Sequence, residues 1–103
     1  MSGVIYEVNL LVRRAIEREY REWLAAHVQE ILALPGFVRA EVFEVVEPAP
    51  AADEFALCTR YHLQDETALQ DYFREHAPRL RADGLAQFGD NFRAERRVLR
   101  PSA

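Results

Sequence analysis

The feature that most constrains this chain is the order in which its hydrophobic period changes. Apolar residues recur every second position, then every third and fourth, then every second twice over, then at helical spacing, and finally every second again. Val4, Tyr6, Val8, Leu10 and Val12 alternate with Ile5, Glu7, Asn9 and Leu11, which predicts a first strand over 4–12. Ile16, Tyr20, Trp23, Leu24, His27, Ile31 and Leu34 fall on one stripe, so a long amphipathic helix is expected over 15–34. Pro35-Gly36 ends it, because proline cannot continue the hydrogen-bond ladder and glycine accepts a left-handed turn. A second strand is expected over 37–46, with Phe37, Arg39, Glu41, Phe43 and Val45 on one side and Val38, Ala40, Val42, Glu44 and Val46 on the other. EPAPAADE is a connector, and 55–62 is a third strand. Asp65 reads as the N-cap of a second helix whose stripe is Leu69, Tyr72, Phe73, His76 and Leu80. Pro78 should kink or restart that helix, Gly84 and Gly89 should loosen its end, and 91–100 is a fourth strand.

The order β-α-β-β-α-β in 103 residues leaves room for one domain, 1–103. Its fold class is α+β, ferredoxin-like, with a four-stranded antiparallel sheet and two helices on one face. Two helices cover one face only, yet both faces of the first three strands carry large apolar side chains. A second copy packed sheet against sheet is the expected partner.

Charge excludes some functions. With 13 Lys+Arg against 17 Asp+Glu the net charge is −4, and such a chain repels nucleic acid and anionic lipid, so neither is an expected partner. The single cysteine, Cys58, allows no internal disulfide and fits a reducing compartment. The opening MSGVIYEVNLLV lacks a basic leader segment and its apolar run is broken by Glu7 and Asn9, so a strand is expected there, and the cytoplasm is the expected location.

Two segments carry a resemblance. WLAAHVQEILALPGF, within a β-α-β-β-α-β chain of this length, resembles the dimeric α+β barrel superfamily. HAPRLRADGLAQFGDNFRAERRVL resembles a family of small bacterial proteins with no assigned function. The resemblance implies a dimer with a cavity between helices and sheet in each subunit, where related families bind or oxidise small apolar molecules, several without a cofactor.

The histidines are the first residues to consider for chemistry. His27 projects from the apolar stripe of the first helix, either as a core histidine satisfied by a hydrogen bond or as a base or ligand anchor lining a pocket. His76 repeats the pattern ahead of Pro78, and Trp23, Tyr61 and Asn9 complete the candidate pocket set. His62 is expected to be a solvated strand end and Cys58 a small core residue. No clustered Cys/His spacing suggests a metal site, and no cofactor is expected.

Haem is the alternative. Superfamily members that open the haem ring use an Asn on the first strand, a Trp near the third and a His on the second helix as iron ligand. Asn9 and His76 stand in similar positions, but the only tryptophan is on the first helix, and the third strand offers Tyr61 instead. Finally, Arg93, Arg96, Arg97 and Arg100 make the last strand basic. They either pair with neighbours such as Glu7 and Glu95 or, with Arg79 and Arg81, form an anion patch. Two function classes remain: a small-molecule binding protein or cofactor-independent oxygenase or isomerase, and a non-catalytic dimeric module.

Overall fold

In the computed structural model, residues 3–102 are described. β1 (Val4–Arg13) leads through a short 3-10 turn (Arg14–Ile16) into α1 (Glu17–Leu32), followed by β2 (Phe37–Glu44), β3 (Glu54–Leu63), α2 (Glu66–Glu75), α3 (Ala77–Phe88), a second 3-10 turn (Gly89–Asn91) and β4 (Phe92–Leu99). The sheet has the order β2-β3-β1-β4, and every neighbouring pair is antiparallel. This is the ferredoxin-like arrangement expected from the order of periods. Among the described residues, no helix is long and apolar enough to cross a membrane.

The second helical segment is two helices rather than one. Pro78 has no N–H to continue the ladder, so the chain breaks at His76 (φ −126°, ψ −36°) and α3 restarts with Pro78 in its first turn. Asp65 caps α2 as expected, its side chain accepting a hydrogen bond from Ala68 N at 2.8 Å.

Three further details differ from the sequence reading. A bulge between Phe37 and Arg39 shifts the phase of β2, turning Phe37 onto the helix side, where it meets Tyr61 and Tyr72 edge-on. Val28, outside the expected stripe, is buried in α1, whereas Trp23 and His27 lie half-buried along its edge. Gly84 does not loosen the end of α3; it is buried inside it, and a Cβ there would lie 3.2 Å from Trp23. Glycine lets α3 approach α1 at that point.

The helices cover one face of the sheet. Tyr20, Ile31, Leu69 and Leu80 from the helices and Val12, Phe55 and Tyr61 from the sheet belong to one core cluster, all nearly without solvent contact. Aromatic rings dominate this layer in two groups: Tyr6, Tyr61, Tyr72, Phe73 and Phe37 at one end, and Tyr20, Trp23, Phe88 and Phe92 at the other. Such rings bury large areas and pack edge-to-face with little freedom to collapse.

Candidate functional site

Where the two aromatic groups meet, a cavity of about 50 Å³ opens between helices and sheet. Its floor is formed by Tyr6 and Val8 of β1, Thr59 and Tyr61 of β3, and Arg96 of β4. Tyr20, Trp23 and His27 of α1 supply one wall, and Tyr72 of α2 with Arg81 and Gly84 of α3 the other. The strand residues share this face because alternation along antiparallel partners puts Val8 opposite Thr59 and Arg96, and Tyr6 opposite Tyr61.

His27 stacks on Trp23, with ring centroids 4.4 Å apart and planes inclined by 18°. Burial lowers its pKa below the ordinary 6.5, outweighing the pull of Glu30 and Asp83, and the nearby Arg96 charge adds to the lowering. The ring is therefore a neutral imidazole at neutral pH, able to accept a proton. The tyrosines are the reverse. Burial pushes the Tyr20 and Tyr61 phenols up and Tyr72 up to about 12, so all three remain protonated at neutral pH and have an O–H to offer a ligand. Tyr6 accepts a hydrogen bond from Arg81 Nη2 at 3.1 Å, which orients its hydroxyl.

Thr59 stands apart. It is 1% exposed, lines the cavity, and its Oγ1 is the one fully buried side-chain polar atom among the described residues with no hydrogen-bond partner. Leaving a hydroxyl unsatisfied costs about 1–3 kcal/mol. In Phe55, Leu57, Thr59, Tyr61 and Leu63, the covered side of β3, it is the small polar residue in an apolar series, and that alternation was the sequence signal for it.

The structure brings His27, Trp23 and Tyr61 together but separates the other candidates. Asn9 lies on the opposite, open face of the sheet, donating to Glu7 Oε1 at 2.8 Å. His76 sits at the α2–α3 junction in a separate cleft with Leu34, Asp65, Asp71 and Glu75. The haem constellation is therefore not assembled: the sheet itself stands between Asn9 and His76, and the third-strand aromatic, Tyr61, belongs to the other cavity.

The arginine patch is divided in the same way. Arg96 faces the cavity, whereas Arg93 and Arg97 face the open side, because adjacent strand residues point to opposite faces. Arg79 pairs with Glu30 at 3.0 Å, Arg100 with Glu66, and Arg97 with Glu7, the last as the pairing alternative supposed. One minor expectation also changes: His62 is half-buried and bonded to Glu41 Oε1 at 2.8 Å rather than solvated. Cys58 is buried as expected, on the open face beside Glu7 and Arg60.

On the open face, Glu7 has a side chain only 1% exposed although no helix covers it. Arg60 and Arg97, its registered neighbours on β3 and β4, reach it at 3.0 and 2.7 Å. Burial pushes its pKa up, but the hydrogen bonds from Asn9, Arg97 and Arg60 outweigh that and hold it below the usual carboxylate value.

A four-stranded antiparallel sheet in this order, with helices on one face and a small hollow beneath them, defines a ferredoxin-like α+β protein. The chain belongs to the family described as "Domain of unknown function (DUF4286)", which matches residues 3–102. No curated protein matches it significantly in sequence. Among solved structures it is similar to a mutant form of SnoaB, a cofactor-independent oxygenase from Streptomyces nogalater, with 16% identity, TM-score 0.74, and 100% of this chain and 96% of that chain covered. It is also similar to a dabb family protein with a ferredoxin-like fold from Mesorhizobium loti, at 12% identity and TM-score 0.67, covering 99% and 100% of the two chains. The de novo designed protein Foldit4 is similar too, at 16% identity and TM-score 0.69, covering 98% of this chain and 100% of that chain. A designed chain sharing the likeness makes plain that it is a likeness of fold.

Proposed function

We propose that this protein binds a small, largely apolar molecule in the cavity between α1, α3 and the sheet, and that the chemistry built there is cofactor-independent oxygenation or isomerisation. The observation that carries this reading is the Thr59 hydroxyl, buried in the cavity and without a partner among the described residues. Buried polar groups are retained unsatisfied where something else completes them. His27, Trp23 and Tyr61 line the same cavity. A neutral His27 would take a proton from an acidic C–H of the ligand, and the protonated phenols and the Thr59 hydroxyl would donate to the oxygen on which the resulting negative charge develops. With dioxygen as co-substrate the carbanion is oxidised; without it the proton returns elsewhere and the product is an isomer. The likeness to a cofactor-independent oxygenase supports this chemistry.

The test is His27→Ala in protein screened by native mass spectrometry for a co-purifying small molecule. The expected outcome is an intact fold, destabilised by less than about 1 kcal/mol, with the ligand lost. Loss of roughly 2 kcal/mol or more with ligand binding unchanged would assign His27 a purely structural part.

We also propose that the protein is a homodimer in the cytoplasm, joined through the open sheet face. Ile5 and Leu11 lie half-buried around the Glu7 network, and Phe43 is 46% exposed there. A second copy of the same face would cover these side chains while leaving the Glu7 pairs intact, at an obligate-scale interface of more than about 2,000 Å². Sedimentation should give a dimer at micromolar concentration, and a folded monomer would overturn it. A non-catalytic dimeric module is the second reading, favoured by the modest cavity volume of about 50 Å³, because ligand pockets commonly reach about 300 Å³ or more.

A further inference from the structure

Arg96 is exposed, yet it stands on the side of β4 that the helices cover and lines the cavity. On β4 it shares the helix-covered side with Phe92 and Ala94, and it stands opposite Val8 of β1. Most arginines of the chain have a carboxylate: Arg60 and Arg97 hold Glu7, Arg79 holds Glu30, Arg74 holds Asp71, and Arg21 holds Glu17. Among the described residues Arg96 has neither an ion pair nor a hydrogen bond. Arg81, across the cavity mouth on α3, also lacks a carboxylate; it donates to the neutral Tyr6 hydroxyl at 3.1 Å and lies over the Phe73 ring at 5.8 Å.

We propose that Arg96 and Arg81 are an anion anchor at the cavity mouth, and that the ligand is a carboxylate on a compact, largely apolar body, with the body inside, an oxygen of it meeting Thr59, and the carboxylate between the two guanidiniums. This rests on the pocket reading above and adds the chemical class of its occupant. The Arg96 charge reaches the cavity walls, acting on His27, Tyr20 and Tyr72 alike. Glu30 and Asp83, the acidic groups whose charges act on His27, are both paired with Arg79, at 3.0 and 4.0 Å, and neither is paired with Arg96. A planar guanidinium binds a carboxylate through paired N–H donors, a geometry lysine does not offer. Volume sets the body. About 50 Å³ is room for a few water-sized groups, at about 10–15 Å³ each. A short branched alkyl group enters without rearrangement, whereas an aromatic ring requires the stacked Trp23–His27 pair to shift.

The experiment compares two probes of one shape and different charge, isobutyrate and isobutyramide, titrated at low ionic strength and followed by NMR shifts and by the fluorescence of the lone tryptophan, Trp23, in the cavity wall. The benzoate and benzamide pair is run in parallel. The expected result is a carboxylate preference of about tenfold, equivalent to about 1.4 kcal/mol. It should shrink in added salt, because the mouth is solvent-exposed, and fall to less than about twofold in Arg96→Gln, with a smaller loss in Arg81→Gln. Arg96 is exposed and makes no hydrogen bond or ion pair, so Arg96→Gln should keep the melting temperature of the parent, whereas Arg81→Gln also gives up the bond to Tyr6 and should lower it slightly. Equal binding of acid and amide by the parent, or a preference that survives Arg96→Gln, would overturn the anchor and leave the pocket standing. Binding of neither probe in either pair would overturn both.

Discussion

The two faces of one sheet treat a buried polar side chain in opposite ways. On the open face, Glu7 is 1% exposed with no helix above it, yet Asn9, Arg60 and Arg97 satisfy its oxygens. On the covered face, Thr59 is also 1% exposed, under helices and among aromatic rings, and nothing among the described residues satisfies its hydroxyl. The completed group braces the structure. The incomplete one, beside a hollow and a neutral imidazole, is where an outside molecule has something to add.

The largest effect that would sharpen this contrast is expected from Glu7→Ala. It removes the acceptor of three hydrogen bonds and leaves two guanidiniums side by side, so chemical denaturation should show a loss of about 2–4 kcal/mol. That figure is held below the range for a wholly buried pair because Arg60 and Arg97 are 43% and 61% exposed and regain water. An unchanged midpoint would mean the network is solvated and the two faces are not different in kind.

The same carboxylate sets an acid limit. Its folded pKa is lowered from the ordinary 4.5, so the stability it contributes is fully present above that value and is lost as pH falls through the folded pKa. Acid titration of Glu7→Gln should lack that step while the parent shows it.

Thr59→Val probes the other face and should act in the opposite direction. The shape is nearly kept and the unsatisfied hydroxyl is gone, so stability should rise by about 1 kcal/mol while any cavity ligand binds more weakly. A destabilised Thr59→Val would show that the hydroxyl is already satisfied, and would make the two faces alike.

Much of the fold was legible because it is local. The changes of period mark the strands and helices, Asp65 caps the helix three residues before Ala68, and Pro78 restarts a helix wherever its missing N–H falls. His27 and Trp23 on α1 were likewise legible as facing the apolar layer, because helical spacing alone puts them near that stripe. Strand alternation also places Thr59 and Tyr61 on one side, although an isolated threonine does not announce that it lacks a partner.

Tertiary structure decided which polar residues meet. Asn9 and His76 suit one site in the sequence, yet the sheet puts them on opposite sides. Arg96 and Arg97 are neighbours in one basic strip, yet one faces a cavity and the other a buried carboxylate. Glu7 gains its partners from residues far along the chain, through register: β1 pairs it with Arg60 on one side and Arg97 on the other. A slip of one residue would turn every side chain of a strand to the other face. The bulge that turns Phe37 inward is such a change of phase, written in no residue type of its own. Periodicity determines that a face exists, because it depends on backbone geometry repeating along one segment. The register between segments, and the shape left where aromatic rings fail to fill the space, depend on packing the whole chain at once, so the cavity and its unpartnered hydroxyl belong to the tertiary structure alone.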